Sequence, residues 1–387
     1  MARQMVTRRR FVQGAATLAG GAALSVAGRR SAAAQDKLPG KIAYWHHYTS
    51  ESEMDGLKTG TEMFQKKHPE LTVESLTVPN ADFMAKFTLA VQGGRGKPDT
   101  TMIAAERVPD MVGMGGLQDI TARVARWDMK RHFPDSRFEA ARIEGKNYGV
   151  PSFMFVDWMY YRTDWFQEKG IKPPTTFAEF YDAAVKLTDP AKGRYGFGMR
   201  GGGGGQGLIV QVIRAFGSPI VDGAGKTALD VGKTTEALRW YSELHTKAKA
   251  VPPSVANDSY RQLMEAFRTG KTAMVWHHTG SLAEVQGDLG KDGKKFMSIA
   301  RPRGPAAHVN DVAPSYNGIV DRKQEEAGWA WLTHWADKDT QIMLMEKTGY
   351  VPSNVEAAKD ERITKNPYYV AAFRALETGT TAPQFPG

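Results

Sequence analysis

Two histidine pairs, His46-His47 and His277-His278, are the first groups in the chain whose type and spacing suggest chemistry. Imidazole binds metals, but neighbouring residues on a strand point to opposite faces, so each pair offers at most one ligand to a common centre. A metal also needs a third and fourth ligand held by their own partners. The pairs read instead as polar groups at strand ends, lining a cleft. The five-glycine run Gly201–Gly205 resembles a phosphate loop, but Gln206-Gly207-Leu208 follows where a Lys-Ser/Thr is needed to reach phosphate and metal. It reads as a flexible loop at a cleft rim. No G-x-S-x-G elbow is present, and the lack of cysteine removes any thiol nucleophile, disulfide or thiolate metal site. No local pattern singles out two carboxylates as a glycosidase pair. Glycoside hydrolysis and capture of a metal chelate stay open beside plain binding, and no cofactor is called for.

Flat aromatic surface is plentiful: 9 Trp, 13 Tyr and 17 Phe. Trp45, Tyr48, Phe153, Phe155, Trp158, Trp276, Tyr316 and Tyr350 fall at expected strand ends or turns. Aromatic faces stack on the C–H face of a sugar, while carboxylates, amides, imidazoles and guanidinium groups take its hydroxyls. Each of these rings serves equally well as core. Arg107, Arg200 and the histidines suit an anionic solute; Glu51, Glu106 and Asp157 oppose it.

These groups need elements to hold them. A strand is expected over residues 41–47, a helix capped near Ser50 running to Lys67, a strand over 71–78, a helix over 81–92 and a strand over 98–103, before a helix that opens at Glu106. Strand–helix alternation of this kind predicts a sheet covered on both faces. From Gly145 to Phe180 the chain turns at residues 144–147 and runs as an apolar, aromatic strand over 150–161. It then rounds a Pro173-Pro174 corner into a helix at Thr175-Thr176. This stretch reads as the crossing between two lobes and as one wall of the cleft. Further helices are expected over 177–187, 208–216, 234–249, 258–268, 325–335 and 339–347, and strands over 194–199, 272–276, 296–300 and 315–320.

With 387 residues the chain exceeds one ordinary domain, so two lobes are expected. Its formal charge of +9 is uneven: residues 1–34 hold six arginines and no acid, and taking those six from +9 leaves +3 on the rest. That balance gives no reason to invoke nucleic acid or a membrane surface. Thr7-Arg8-Arg9-Arg10-Phe11, a weakly apolar Gly/Ala stretch and Ser31-Ala32-Ala33-Ala34 resemble a twin-arginine export signal cleaved after Ala34. A transmembrane anchor fits less well, because the run is short and interrupted by glycine. Without a cysteine at the cleavage point there is no lipid anchor, and a free periplasmic protein is expected.

Six segments in order then resemble one family over nearly all of the mature chain, the extracellular solute-binding proteins of the carbohydrate class that serve ABC importers (maltose-type and glycerol-phosphate-type). They are Lys41–His47; Pro98–Thr101 with Glu106-Arg107 and Gly116–Ile120; Gly145–Pro151 with Tyr160–Phe166; Pro173–Phe177; Phe267–Met274; and Thr348–Pro352. The resemblance implies an α/β, two-lobe periplasmic-binding-protein fold with crossing hinge strands. It places the first lobe at 35–148 plus 301–336, and the second at 149–300 plus 337–387. The family continues into further helices beyond a segment like 382–386, so the tail is read as cut short or as closing the lobe differently. By the same resemblance, ligand contacts fall at His46, His47, Tyr48, Ser50 and Glu51 on the first strand's end, and at Glu106 and Arg107. Phe155 and Asp157 on the crossing strand, Trp276, His277 and Ser281, and Tyr316 and Asn317 complete the implied set, with Arg200 as a further candidate. Ile103 stands where some maltose binders carry tryptophan, which argues against a maltose-type ligand. The implied partners are a small solute, a sugar or polyol or a glycerol-phosphate-like molecule, and the membrane subunits of a permease; the chain is expected to act as a monomer, without catalysis.

Overall fold

The computed structural model describes residues 40–80 and 82–380. The export signal and the last seven residues lie outside the described residues. Ten strands are present: β1 (Gly40–His46), β2 (Leu71–Thr77), β3 (Thr100–Ala104), β4 (Arg142–Ile143), β5 (Lys146–Asn147), β6 (Val150–Tyr161), β7 (Tyr195–Gly198), β8 (Thr272–His278), β9 (Met297–Ile299) and β10 (Val312–Ile319). The helices of the first half are α1 (Glu51–Lys67), α2 (Phe83–Gly93), α3 (Val108–Gly113) and α4 (Thr121–Arg126). Then come α5 (Thr163–Glu168), α6 (Phe177–Lys186), α7 (Gly205–Ala215), α8 (Val231–Thr246), α9 (Tyr260–Arg268) and α10 (Leu282–Leu289). The chain closes with α11 (Glu325–His334), α12 (Lys338–Thr348), α13 (Glu361–Thr364) and α14 (Pro367–Glu377).

Local chemistry starts α1 and α6 where expected, while α8 begins at Val231, three residues before its expected start. Ser50 caps α1 and Thr176 caps α6, each in a reciprocal capping box with the glutamate three residues on, Glu53 or Glu179. α7 departs from expectation: it begins at Gly205, inside the glycine run, three residues before the expected start.

The strand order is β2-β1-β3-β10-β6-β8-β7, with β9 beside β6. β1 runs parallel to β2 and β3, β10 runs antiparallel to β3 and β6, and β7 is parallel to β8. β6 is the shared member. Val150–Val156 pair with β10, and Asp157–Tyr161 pair with β8. The expected crossing strand is therefore present over its expected residues, with its change of partner between Val156 and Asp157. The fold is two α/β lobes joined through this strand.

Each half buries its own core. Tyr44, Phe64, Trp331 and Trp335 pack in the first, and Phe177, Phe180, Phe197 and Trp276 in the second. α12 serves both: Met343 and Leu344 enter the core of the first half, Ile342 and Met345 that of the second. Lys347 also pairs with Asp55 of α1 at 2.6 Å. No helix among the described residues is long and apolar enough to cross a membrane.

Candidate functional site

In open α/β sheets ligands bind beyond the carboxyl ends of parallel strands, because helix N-termini and loops converge there. Both halves aim those ends at one place. The carboxyl end of β3 (Ala104) lies opposite Ser315 at the β10 end that meets Phe153 of β6. The carboxyl end of β8 (His278) lies opposite Asp157 of the same strand. The ends of β1 and β7 flank these neighbours. The strand ends thus meet around Phe155–Asp157, where β6 passes from one half to the other.

A layer of rings fills the seam. Tyr350 stacks on Phe153 at 4.2 Å and lies near Tyr48 (6.4 Å), Phe155 (5.2 Å) and His278 (5.9 Å). Its hydroxyl donates to Glu53 Oε1 at 2.5 Å. Tyr260 continues the layer over His278, 6.1 Å away and within 12° of parallel. The rings of His277 and His278 approach to 4.1 Å, so this pair does not splay to opposite faces as strand geometry suggests. β8 ends there, and the turn into α10 swings His278 back until its Nδ1 accepts the Gly280 N–H at 3.1 Å. Burial holds the imidazoles neutral. It lowers His46 and His278 to about 4 and, helped by Arg107, His47 to about 3. His277 is lowered as well, by burial first and by its neighbour His278 second.

On the second half, Asp157 Oδ2 accepts from Arg301 Nη2 (3.0 Å) and Gln211 Nε2 (2.9 Å). Arg301 also donates to Gln211 Oε1 and lies over the Trp276 ring, 5.3 Å from its centroid. Trp276, implied as a ligand contact, is 2% exposed and surrounded by Phe177, Phe180, Phe197 and Tyr241. It is core, because β8 turns that face toward α6 and α8. Tyr316 and Asn317 are core too. The Tyr316 hydroxyl donates to the Arg137 carbonyl (2.9 Å), and Asn317 Oδ1 accepts from the Tyr44 hydroxyl (2.8 Å).

The glycine run is a packed turn rather than the expected loose rim. A Cβ on Gly201 would lie 2.4 Å from the Val255 carbonyl oxygen, and the Gly202 N–H donates to the Asp258 carbonyl (3.0 Å). The turn wraps Arg200, whose Nε donates to the Gly203 carbonyl at 2.8 Å.

On the first half, His46 is buried, with Nδ1 accepting the Tyr48 N–H and Nε2 unpartnered. His47 meets Phe83 edge-on at 6.1 Å. Arg107 lies over Phe83 and donates to the Asn80 carbonyl at 2.8 Å, while Glu51 and Glu106 are exposed. A cavity of about 330 Å³ opens at the seam. Thr49, Ser50 and Glu51 form one side, and Tyr260, Arg268 and Glu284 stand on the other. Ser281, buried, links His277 Nδ1 (3.3 Å) to the Tyr260 hydroxyl (3.2 Å).

Tyr260, His278, Glu284, Glu53 and Arg301 belong to this region and were not among the expected contacts. Glu53 carried a signal as the capping-box partner of Ser50, and His278 as half of a histidine pair; the others stand in unremarkable helix or loop contexts. Among the described residues no group of three or more His, Asp or Glu side chains is arranged to hold a metal ion.

A binding protein of Brucella abortus (strain 2308) is 24% identical over 332 residues, 84% of this chain and 79% of that protein. The mannitol-binding protein of Pseudomonas aeruginosa is 23% identical over 290 residues, 74% of this chain and 62% of that protein. The GacH receptor of Streptomyces glaucescens, solved unliganded and with acarbose, shares the fold at a TM-score of 0.82 and 23% identity, over 90% of this chain and 89% of that one. The sequence profile of the bacterial extracellular solute-binding proteins matches residues 48–342, most of the chain, and the protein belongs to that family.

Proposed function

We propose that the protein is the solute-binding subunit of an ABC importer, which captures a sugar, polyol or related solute between its lobes and delivers it to the permease. One observation carries the reading: the parallel strands of both halves end at a single seam lined by rings and polar groups. Such a seam takes a hydroxylated solute, stacking its C–H faces and bonding its hydroxyls. The mannitol-binding relative and the acarbose complex of the structural neighbour support this class.

The lobes are residues 35–148 with 301–336, and 149–300 with 337–387, and α12 packs against both. Closure turns about β6, and the closed form is the one the permease reads. His47, Tyr48, Ser50, Glu51, Glu106, Arg107, Phe155 and Arg200 are the contacts we assign, joined by Tyr260 and His278. The chain travels by the twin-arginine route to the periplasm, acts as a monomer and carries out no catalysis.

Isothermal titration against a panel of sugars, polyols and their acids tests the proposal. Saturable one-to-one binding of a panel member is the expected result. Silence across the panel, with tight binding of an amino acid or metal chelate instead, overturns it.

A further inference from the structure

Charge at the seam is less balanced than the sequence suggests, and the pairing pattern shows why. Asp157, the acid nearest in sequence logic to Arg200, is already bonded by Arg301 and Gln211. Glu53 is committed to the Tyr350 hydroxyl and to the N–H groups of Thr49 and Ser50. Glu284 is half-buried; burial raises its carboxyl, while the charge of Arg268 across the same cavity, then the Ser50 and Ser52 hydroxyls, lower it. Arg200 has no such match. Among the described residues its one bond is to the Gly203 carbonyl and it makes no ion pair, and Asp157 acts on it from beyond ion-pair range. It is half-buried, and burial disfavours its charged form. A guanidinium kept from water without a counter-ion is costly, and an anion beside it removes that cost.

The glycine run sets this guanidinium in place. A Cβ on Gly204, whose φ is +89°, would lie 2.3 Å from Arg200 Nη2, and one on Gly205 would lie 2.2 Å from the Arg200 carbonyl. Only a chain without side chains at these two positions wraps an arginine so closely. His277 stands within electrostatic reach of Arg200, is 4% exposed, and has an unpartnered Nε2. Ser281 Oγ shares hydrogen bonds with the Tyr260 hydroxyl and with His277 Nδ1, and the tautomer in which Nδ1 accepts makes Nε2 a second N–H donor. The bond from the Gly202 N–H to the Asp258 carbonyl ties this turn to the start of α9, where Tyr260 stands beside the cavity that Glu284 and Ser50 also line.

Resting on the solute-binding reading above, we infer that the solute is a hydroxylated molecule with one anionic end, a carboxylate or phosphate, seated on Arg200 in its glycine cradle. Guanidinium binds either group through paired N–H donors. The hydroxyls then lie toward Tyr260, Glu284 and Ser50.

Titration of the purified full-length mature protein with D-gluconate, D-galacturonate and sn-glycerol 3-phosphate, each beside its neutral parent (D-glucitol, D-galactose, glycerol), tests this. The expected result is that one anionic member binds at least about 10-fold tighter than its parent. Whether it is a sugar acid or glycerol 3-phosphate identifies the source of the charge. Arg200→Gln removes about 10- to 100-fold of that affinity and closes most of the gap between the acid and its neutral parent. Gly204→Ala, which pushes the guanidinium aside, weakens anion binding likewise, while Gly207→Ala, with nothing within 4 Å of the new Cβ, does not. Circular dichroism melts check that each variant is folded. Neutral parents binding as tightly as the acids overturn the inference and leave the solute-binding reading standing. Failure of every sugar and polyol, charged or neutral, overturns both.

Discussion

Arg301 Nη2 stands 3.0 Å from Asp157 Oδ2, and this pair ties the point where β6 changes partners to the segment that returns from β9 to β10. The guanidinium is 3% exposed and the carboxylate 19%. Removing one partner therefore harms unequally, because the charge left behind differs in its access to water.

Asp157→Asn, which strands the more deeply buried Arg301, is expected to cost about 3 kcal/mol of stability. Arg301→Met is expected to cost less, and the double variant less than the sum. Urea unfolding measures all three. Equal losses for the two single variants contradict the account.

Tyr350 joins two effects at the seam. Tyr350→Phe keeps the 4.2 Å stack on Phe153 and loses the bond to Glu53, for about 1–2 kcal/mol. Tyr350→Ala loses the ring too, for about 3–5 kcal/mol. If thermal melts show the two variants equally unstable, the ring contributes nothing beyond its hydroxyl.

Phe155 and Trp276 separate binding from packing. Phe155 is half-buried at the strand ends, while Trp276 is enclosed in the second core. Phe155→Ala is expected to weaken solute binding about 10-fold with a small change in melting temperature. Trp276→Leu is expected to lower stability by about 3 kcal/mol. Titration calorimetry beside melting curves distinguishes them, and the reverse pattern excludes this division of roles.

Acid should loosen the molecule in a defined window. His46 and His278 are lowered from 6.5 to about 4, and His47 to about 3, with burial the largest cause in each. Below pH 6.5 the unfolded chain gains protons that the native state refuses. Stability thus falls with pH by roughly 1.4 kcal/mol per unit for each imidazole, and the loss levels off once the native groups titrate. Melting temperature is expected to be flat from pH 7 to 8 and to drop steeply from pH 6 to 4. A flat profile down to pH 4.5 places these rings in water and rules the burial out.

Much of the fold was legible because its signals are local. The alternation of residues 150–161 marked β6 over its observed length, and Ser50-x-x-Glu53 and Thr176-x-x-Glu179 marked two helix starts. The seam was legible in outline: His47 and Arg107 follow the carboxyl ends of β1 and β3, which hydrophobic patterning locates to within a few residues, and Phe155 and Asp157 flank the point where β6 changes partners.

Sequence alone also pointed to the family, through the order of six segments, and held the rings that line the seam. Tertiary structure decided which groups line the seam and which are core. Trp276 and His278 are two residues apart on one strand, yet one is core and the other lines the seam, because β8 ends at His278, where the chain turns toward α10, while α6 and α8 close over Trp276. Charge was decided there too. Asp157 and Arg200 enter the sequence as opposite charges with no assigned partner; Arg301, 144 residues from Asp157 in the chain, takes the carboxylate, while Arg200 bonds to the Gly203 carbonyl. Pairings of that kind depend on distances between chain segments that composition and spacing do not contain.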